Sequence, residues 1–256
     1  MDFDLTREQQ MIRNEVRKFA QKEIVPRAEE MEKTGEYPYD IIEKMANLGL
    51  MGIPFPEQYG GTGGDWVGMH LCIEEISRAD GALGGLLDVT TSVVAQEIAV
   101  FGTEEQKKKW LIPLAQGKKI GAFGLTEPDS GSDAGALKTT AELKDGEWVL
   151  NGTKQFITNI GLKNASMVIV AARVKGGQND NTISTFIVPK DAPGFKLGER
   201  YRKLCWHSSA THEVILSECR IPEENLLGNP KRGFAQHLAV LETGRISIAA
   251  MAVGLA

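Results

Sequence analysis

"FGLTEPDSGSDAG", residues 123–135, sets an apolar run directly against hydroxyls, acids and glycines. A short apolar run that ends in Thr, Pro, Asp, Ser and Gly reads as a buried strand stopping at a turn. So many small hydrogen-bonding groups at one strand end raise the question of what lies against them.

Outward from this turn, toward the carboxy terminus, the texture is that of strands. "IGAFGL" (120–125), "KTTAEL" (138–143), "EWVLNG" (147–152), "KQFITN" (154–159), "MVIVAARV" (167–174), "ISTFIVP" (183–189) and "HEVILSECRIP" (212–222) are short and rich in β-branched and aromatic residues. Turn signals such as Asp145-Gly146 and Gly176-Gly177 separate them. Close-spaced strands without intervening helices predict an antiparallel β-barrel or sandwich, assigned to residues 119–230.

Toward the amino terminus, residues 1–118 read as an all-α domain. Thr6 with Gln9 makes a capping box, after which Ile12, Val16, Phe19 and Ala20 recur at the spacing of one helical face. Ile41, Ile42, Met45 and Leu48 repeat that pattern up to Gly49, and the cluster "GIPFPEQYGGTGG" (52–64) reads as a loop. Helical patterns follow over 67–79 and 86–100, and Thr103 with Gln106 makes a second capping box. From about Lys231 the pattern is helical again, assigned as the first helix of a carboxy-terminal bundle over 231–256. That helix is apolar on most of its circumference and requires partners. The fold class is α+β.

Composition narrows the function. The 256 residues are 42% hydrophobic and 25% charged, with a formal net charge of -5. That balance argues against nucleic acid, and the short basic run Lys107-Lys108-Lys109 follows Glu104 and Glu105 as a solvated helix face does. The acidic amino terminus "MDFDLTREQQ" has no apolar leader core, and no later apolar run is expected to reach a membrane span of roughly 18 residues. The expectation is a cytoplasmic protein that does not engage membranes. Cys72, Cys205 and Cys219 form no even disulfide framework and read as packing residues. Cys205, His207, His212 and Cys219 do not match usual zinc spacings, so no metal is expected. "YGGTGGD" lacks the strand and spacing of a dinucleotide fingerprint, and Ser132 stands one place too early for a nucleophile elbow.

Taken together, "FGLTEPDSGSDAG", "LNGTKQFITN" (150–159), "KLCWHSSATHEVILSECRIP" (203–222) and "LETGRISIAAMAVGLA" (241–256) resemble the acyl-CoA dehydrogenase family of flavoproteins in order and approximate spacing. "LTREQQMIRNEVRKFAQKEIVPRA" (5–28) and "LGLMGIPFPEQYGGTGGD" (48–65) extend the resemblance over nearly the whole chain. It implies FAD between the β domain and the carboxy-terminal helices, with an acyl-CoA thioester against its ring. Backbone groups of Phe123 and Leu125, with Thr126, would bond the pyrimidine edge; Thr158 would donate to N5 and Phe156 would pack on the ring. Ser132 would contact the CoA chain, and Glu242 and Arg245 would bind the CoA moiety. The alternatives from the residues alone are turn capping by Thr126 and Thr158, an ST-turn at Ser132 and a surface ion pair at Glu242 and Arg245. Residues 86–94 would line the acyl chain, or serve as plain core.

The implied activity is α,β-dehydrogenation of an acyl-CoA to the trans-2-enoyl-CoA, with electrons passed to electron-transferring flavoprotein by a homotetramer. The catalytic Glu of most relatives is expected in carboxy-terminal helices beyond these 256 residues, and Gly244 stands where a minority place it. No catalytic residue is therefore assigned here, and the chain alone is expected to be inactive. The glycine inclines the reading toward short, unbranched or small functionalised acyl groups. Cys205 and His207 replace the commoner Gly and Arg. An oxygen-using acyl-CoA oxidase or flavin monooxygenase of the same fold, and a non-catalytic acyl-CoA or flavoprotein-binding module, remain alternatives.

Overall fold

In the computed structural model, which describes residues 3–256, both capping boxes form. Thr6 accepts from the Gln9 N–H while Gln9 reaches back to Thr6, and α1 runs Arg7–Phe19. The first two residues of the acidic amino terminus lie outside the described residues. Helices α2 (Ala28–Thr34), α3 (Tyr39–Asn47) and α4 (Trp66–Ala79) follow, α4 capped by the Asp65 carboxylate on the Gly68 N–H. Arg17 of α1 grips Glu75 of α4 through two bonds of 2.8 and 2.6 Å. Glu75 is buried, so the fork-shaped guanidinium supplies the partners a buried carboxylate requires.

A continuous helix, α5, spans Gly81–Phe101. Over Asp88–Ala95 it widens to π geometry, a local departure often found at functional sites. Helix α6 (104–115) opens at the second capping box. The last helix, α7, is Gly233–Leu255. By length and composition alone α5 and α7 could each cross a bilayer, which corrects the expectation that no apolar run is long enough. Alternation of small and apolar residues with a few polar ones masked both in the sequence. Helix α5 is largely buried as a core helix. One face of α7, carrying Val240, Gly244, Ser247 and Met251, is buried, while Leu238, Ile246, Ile248 and Val253 are exposed.

Eight strands make one sheet: β1 Ile120–Gly124, β2 Thr140–Lys144, β3 Glu147–Thr158, β4 Ala165–Lys175, β5 Ile183–Pro189, β6 Phe195–Arg200, β7 Thr211–Pro222 and β8 Leu226–Leu227. The order is β6-β7-β3-β2-β4-β5-β8, with β1 also on β4. The antiparallel expectation holds for most ladders, but β1 and β2 both run parallel to β4. Asp145 and Gly146 carry positive φ and close the β2–β3 hairpin, as that dipeptide predicts. "EWVLNG" and "KQFITN" prove to be one strand interrupted by bulges rather than two.

The pairing of β1 and β2 positions the site. Residues 120–124 lie against 165–170 of β4, and residues 140–142 lie against 173–175 of the same strand. The chain between them, 125–139, is thrown out of the sheet and contains the opening turn. Leu86 and Leu87 of α5 share a core with Ile120, Ile157 and Ile160, so helices and sheet pack as one body around the base of this excursion.

Candidate cofactor and substrate site

The turn is held by an ion pair that neither local pattern nor spacing announces. Lys154, in the middle of β3, is fully buried and extends its ammonium to Glu127 Oε1 at 2.7 Å and to the Leu125 carbonyl at 3.1 Å. Glu127, also buried, accepts the Lys138 N–H at 2.6 Å and the Thr139 N–H at 3.0 Å. Its own backbone exchanges hydrogen bonds with Ser130, and Ser130 Oγ donates to the Asp133 carbonyl at 2.7 Å. One carboxylate therefore ties the start of the excursion to its end.

Electrostatics at this pair follow from burial. Desolvation pushes the Lys154 ammonium down to about 8, against the upward pull of Glu127. Burial would push Glu127 up, but the Lys154 charge and hydrogen bonds from Lys154, Thr139 and the Lys138 N–H outweigh it and hold the carboxyl below its usual range. At neutral pH the pair is ionised. Removing either partner alone would strand a buried charge, at a cost of about 3–5 kcal/mol.

Phe156 sits where β3 bulges. Lys154 pairs with Val214 and Ile157 with His212, so Gln155 and Phe156 together oppose one residue of β7. The Gln155 N–H donates to the Thr126 carbonyl at 2.8 Å, which locks the bulge to the turn. Phe156 has φ +59°, a left-handed conformation that a bulky residue adopts only under constraint. The residue is 59% exposed, with its ring tilted against Tyr201, centroid to centroid 4.9 Å. Tyr201 lines a cleft of about 820 Å³ bounded by Glu32, Gly35, Arg200, Lys203 and His207.

Thr126 and Thr158 are both half-buried, and neither hydroxyl has a protein partner among the described residues. Thr158 ends β3 opposite Thr211. The next residue, Asn159, donates its side-chain amide toward the carbonyls of Leu86 and Gly121 and the Thr90 hydroxyl at 3.3–3.4 Å, fixing this strand end to α5 and β1. Phe123 is half-buried, its ring edge-on to His237 of α7 at 4.9 Å. Thus Leu125, Thr126 and Phe156 adjoin at the end of β1 through the Lys154 and Gln155 bonds, Thr158 lies further along β3 where Asn159 reaches Gly121, and Phe123 faces α7. An exposed ring, two free hydroxyls and a turn with fixed peptide groups fit a planar group with an apolar face and a polar edge, as FAD has.

The remaining predicted residues lie further out. Ser132 is exposed on the excursion, whose Gly135 approaches Phe234 of α7. Glu242 and Arg245 are exposed on α7, about 8 and 12 Å along the axis from His237. No ion pair joins them among the described residues, so the surface-pair alternative finds no support. Gly244 faces inward instead: a Cβ there would stand 3.2 Å from Val93 of α5.

Two further buried acids escape a reading by motif. Asp88, at the π segment of α5, is raised to about 7 by burial, against a smaller downward pull from nearby Ser247. Ser247 spends its proton on Ser92 at 2.8 Å, and Asp88 Oδ1 is left without a hydrogen-bond partner. Glu97 and His237 are both fully buried with Oε1 and Nδ1 3.1 Å apart, an approach without the alignment of a good hydrogen bond. The legible signal was a charged residue inside an otherwise apolar helical stripe. Of the cysteine and histidine set, Cys219 is buried, Cys205 is exposed, His207 bonds Glu32 and the Lys203 carbonyl, and His212 bonds the Gly198 carbonyl.

Comparison with known proteins decides the family. The model of the acyl-CoA dehydrogenase N-terminal domain matches residues 6–118, and that of the acyl-CoA dehydrogenase middle domain matches residues 122–219. The chain belongs to the acyl-CoA dehydrogenase family. An acyl-CoA dehydrogenase of Bacillus subtilis is 52% identical over 252 residues, which are 98% of this chain and 66% of that one. Butyryl-CoA dehydrogenase from Megasphaera elsdenii superposes with a TM-score of 0.94 at 39% identity, over 99% of this chain and 67% of that one. An acyl-CoA dehydrogenase from Bacillus anthracis solved in complex with FAD gives a TM-score of 0.90 at 37% identity, over 98% and 42% of the two chains. The chain thus spans about two thirds of the length of the first two.

Proposed function

We propose that the chain forms the flavin-binding and much of the acyl-CoA-binding part of an enzyme that converts an acyl-CoA thioester to the trans-2-enoyl-CoA. The carrying observation is Phe156, a ring held outward at a strained bulge beside two threonines whose hydroxyls have no protein partner. Phe123, Leu125, Thr126, Phe156 and Thr158 would hold FAD, which supplies the hydride acceptor for the acyl β-carbon. Thr126 and Thr158 present hydroxyl donors to its polar edge, where donors stabilise arriving charge as they do in an oxyanion hole. Phe156 covers apolar ring surface and keeps water from it.

Ser132, Glu242 and Arg245 would bind the CoA portion, consistent with the exposure of each on the excursion and on α7. Residues 86–94 of α5 would border the acyl group. The butyryl-CoA dehydrogenase relative supports a short-chain substrate. The α-proton must pass to a carboxylate; Gly244 supplies none, and exposed Glu242 points away from the buried face of α7. We assign the base to residues outside this chain. Electrons pass to an electron-transferring flavoprotein, and the exposed apolar face of α7 supports packing against further helices in a homotetramer.

A visible spectrum of the purified protein tests the reading. Bound FAD should be present or regained on reconstitution, and butyryl-CoA added anaerobically should perturb its bands without bleaching them in this chain. Failure to bind FAD would refute the flavin site, and rapid bleaching by this chain alone would refute the assignment of the base.

A further inference from the structure

We propose that Lys154 is a positioning residue for the cofactor: by drawing the Leu125 carbonyl and the Glu127 carboxylate inward, it sets which groups of the turn face the flavin. The proposal rests on the flavin reading given above and extends it to a residue that would not touch the cofactor. The peptide plane gives the mechanism. In a trans peptide the carbonyl of residue i and the N–H of residue i+1 point in opposite directions. Among the described residues every peptide is trans. With the Leu125 oxygen fixed on the Lys154 ammonium at 3.1 Å, the Thr126 N–H is turned to the opposite side, away from the sheet interior. The next carbonyl, of Thr126, is fixed by the Gln155 N–H at 2.8 Å. Two consecutive carbonyls are thus assigned to neighbouring residues of β3, and the Thr126 side chain is left between them without a partner.

Glu127 makes the lysine's hold extend across the loop. Its carboxylate accepts the N–H groups of Lys138 and Thr139 as well as the ammonium, so Lys154 acts on both ends of the 125–139 excursion. A lysine that only filled the core would be served as well by methionine, without the desolvation of a charge. Its contacts instead end on the two residues adjoining Thr126.

The test uses the double variant Lys154→Met/Glu127→Gln, which removes both charges together and so leaves no stranded ion. Hydrogen–deuterium exchange is followed on the protein without added FAD, and FAD dissociation is followed by flavin fluorescence. Exchange over 125–139 should accelerate about tenfold or more, as loss of a hydrogen bond to a charged group allows, while β4 and β5 keep their protection. The dissociation constant for FAD should rise by a similar factor. Unchanged exchange over 125–139 would overturn the proposal, as would faster exchange with parental FAD affinity. Equal acceleration across β4 and β5 would show that the pair merely holds the sheet together and would also overturn it. If the parent protein binds no FAD at all, the flavin reading fails, while the exchange measurement still decides whether Lys154 orders the turn.

Discussion

Replacing Phe156 with glycine separates the two things this residue does. The residue is 59% exposed, so of a side-chain surface of about 200 Å² some 120 Å² faces outward and about 80 Å² is buried. At about 25 cal/mol per Å² the buried part contributes roughly 2 kcal/mol. Against that, φ of +59° costs a non-glycine residue about 1–2 kcal/mol, which glycine does not incur. Glycine also loosens the unfolded chain by a further ~0.5–1 kcal/mol. The strain relief offsets most but not all of the loss, and the flavin-free protein should be destabilised by about 0.5–2 kcal/mol.

FAD affinity should not be spared. If the cofactor covers half of the outward 120 Å², the ring contributes about 1.5 kcal/mol to binding, close to a tenfold change in dissociation constant. The assay is a urea denaturation of the flavin-free protein beside a fluorescence titration with FAD. A Phe156→Gly protein that melts far earlier yet binds FAD as tightly as its parent would refute the reasoning, because the ring would then be a structural prop. Phe156→Asn, which tolerates the left-handed conformation and retains some bulk, should fall between the two in affinity.

Three other outcomes follow from the buried polar groups and from one glycine. Asp88, raised to about 7, keeps its proton in the folded state through a range where the unfolded chain releases it. Its contribution is therefore complete below about pH 4 and is lost as pH rises to about 7, on the order of 4 kcal/mol in all; Asp88→Asn should flatten that slope in chemical denaturation curves collected across this window. His237→Ala leaves Glu97 buried without its facing imidazole and should destabilise by about 3–5 kcal/mol, whereas Glu97→Gln should restore part of that loss in the double variant. Gly244→Leu drives a side chain into Val93 and should cost about 1–3 kcal/mol, most of it regained with Val93→Ala; a neutral single variant would show that α7 does not pack there as described.

What the sequence made legible was local. The capping boxes at Thr6 and Thr103 and the Asp145-Gly146 hairpin were readable because the groups that define them lie within a few residues of one another. Strand β3 was read as two because Asn151-Gly152 imitates a turn in a linear pattern, while the bulge at Gln155 and Phe156, inside the second segment, left no sign in it. In the fold Gly152 is a bulge where a Cβ would meet the Thr139 backbone at 2.7 Å. Strand β6, "FKLGER", carries no strong strand signal and exists because β7 pairs with it. The threonines and Phe156 were found through resemblance, whereas Lys154 and Glu127 lie 27 residues apart and only the register of β3 brings them together.

The same register explains why the site is where it is. Because β1 and β2 share the edge of β4, residues 125–139 have no ladder to satisfy their backbone groups. Buried peptide groups must nevertheless be paired. Lys154 takes the Leu125 carbonyl, Gln155 takes that of Thr126, Ser130 pairs with the Glu127 backbone, and the Glu127 carboxylate takes the N–H groups of Lys138 and Thr139. Nearly every partner lies on the sheet side or within the loop itself. The groups left over, the Thr126 hydroxyl on the turn and the Phe156 ring thrust out by the adjoining bulge, sit beside each other through the Gln155 bond. A surface with unspent donors and an uncovered ring is therefore a consequence of how the excursion is paired, and a planar cofactor with a polar edge is the kind of partner that completes it.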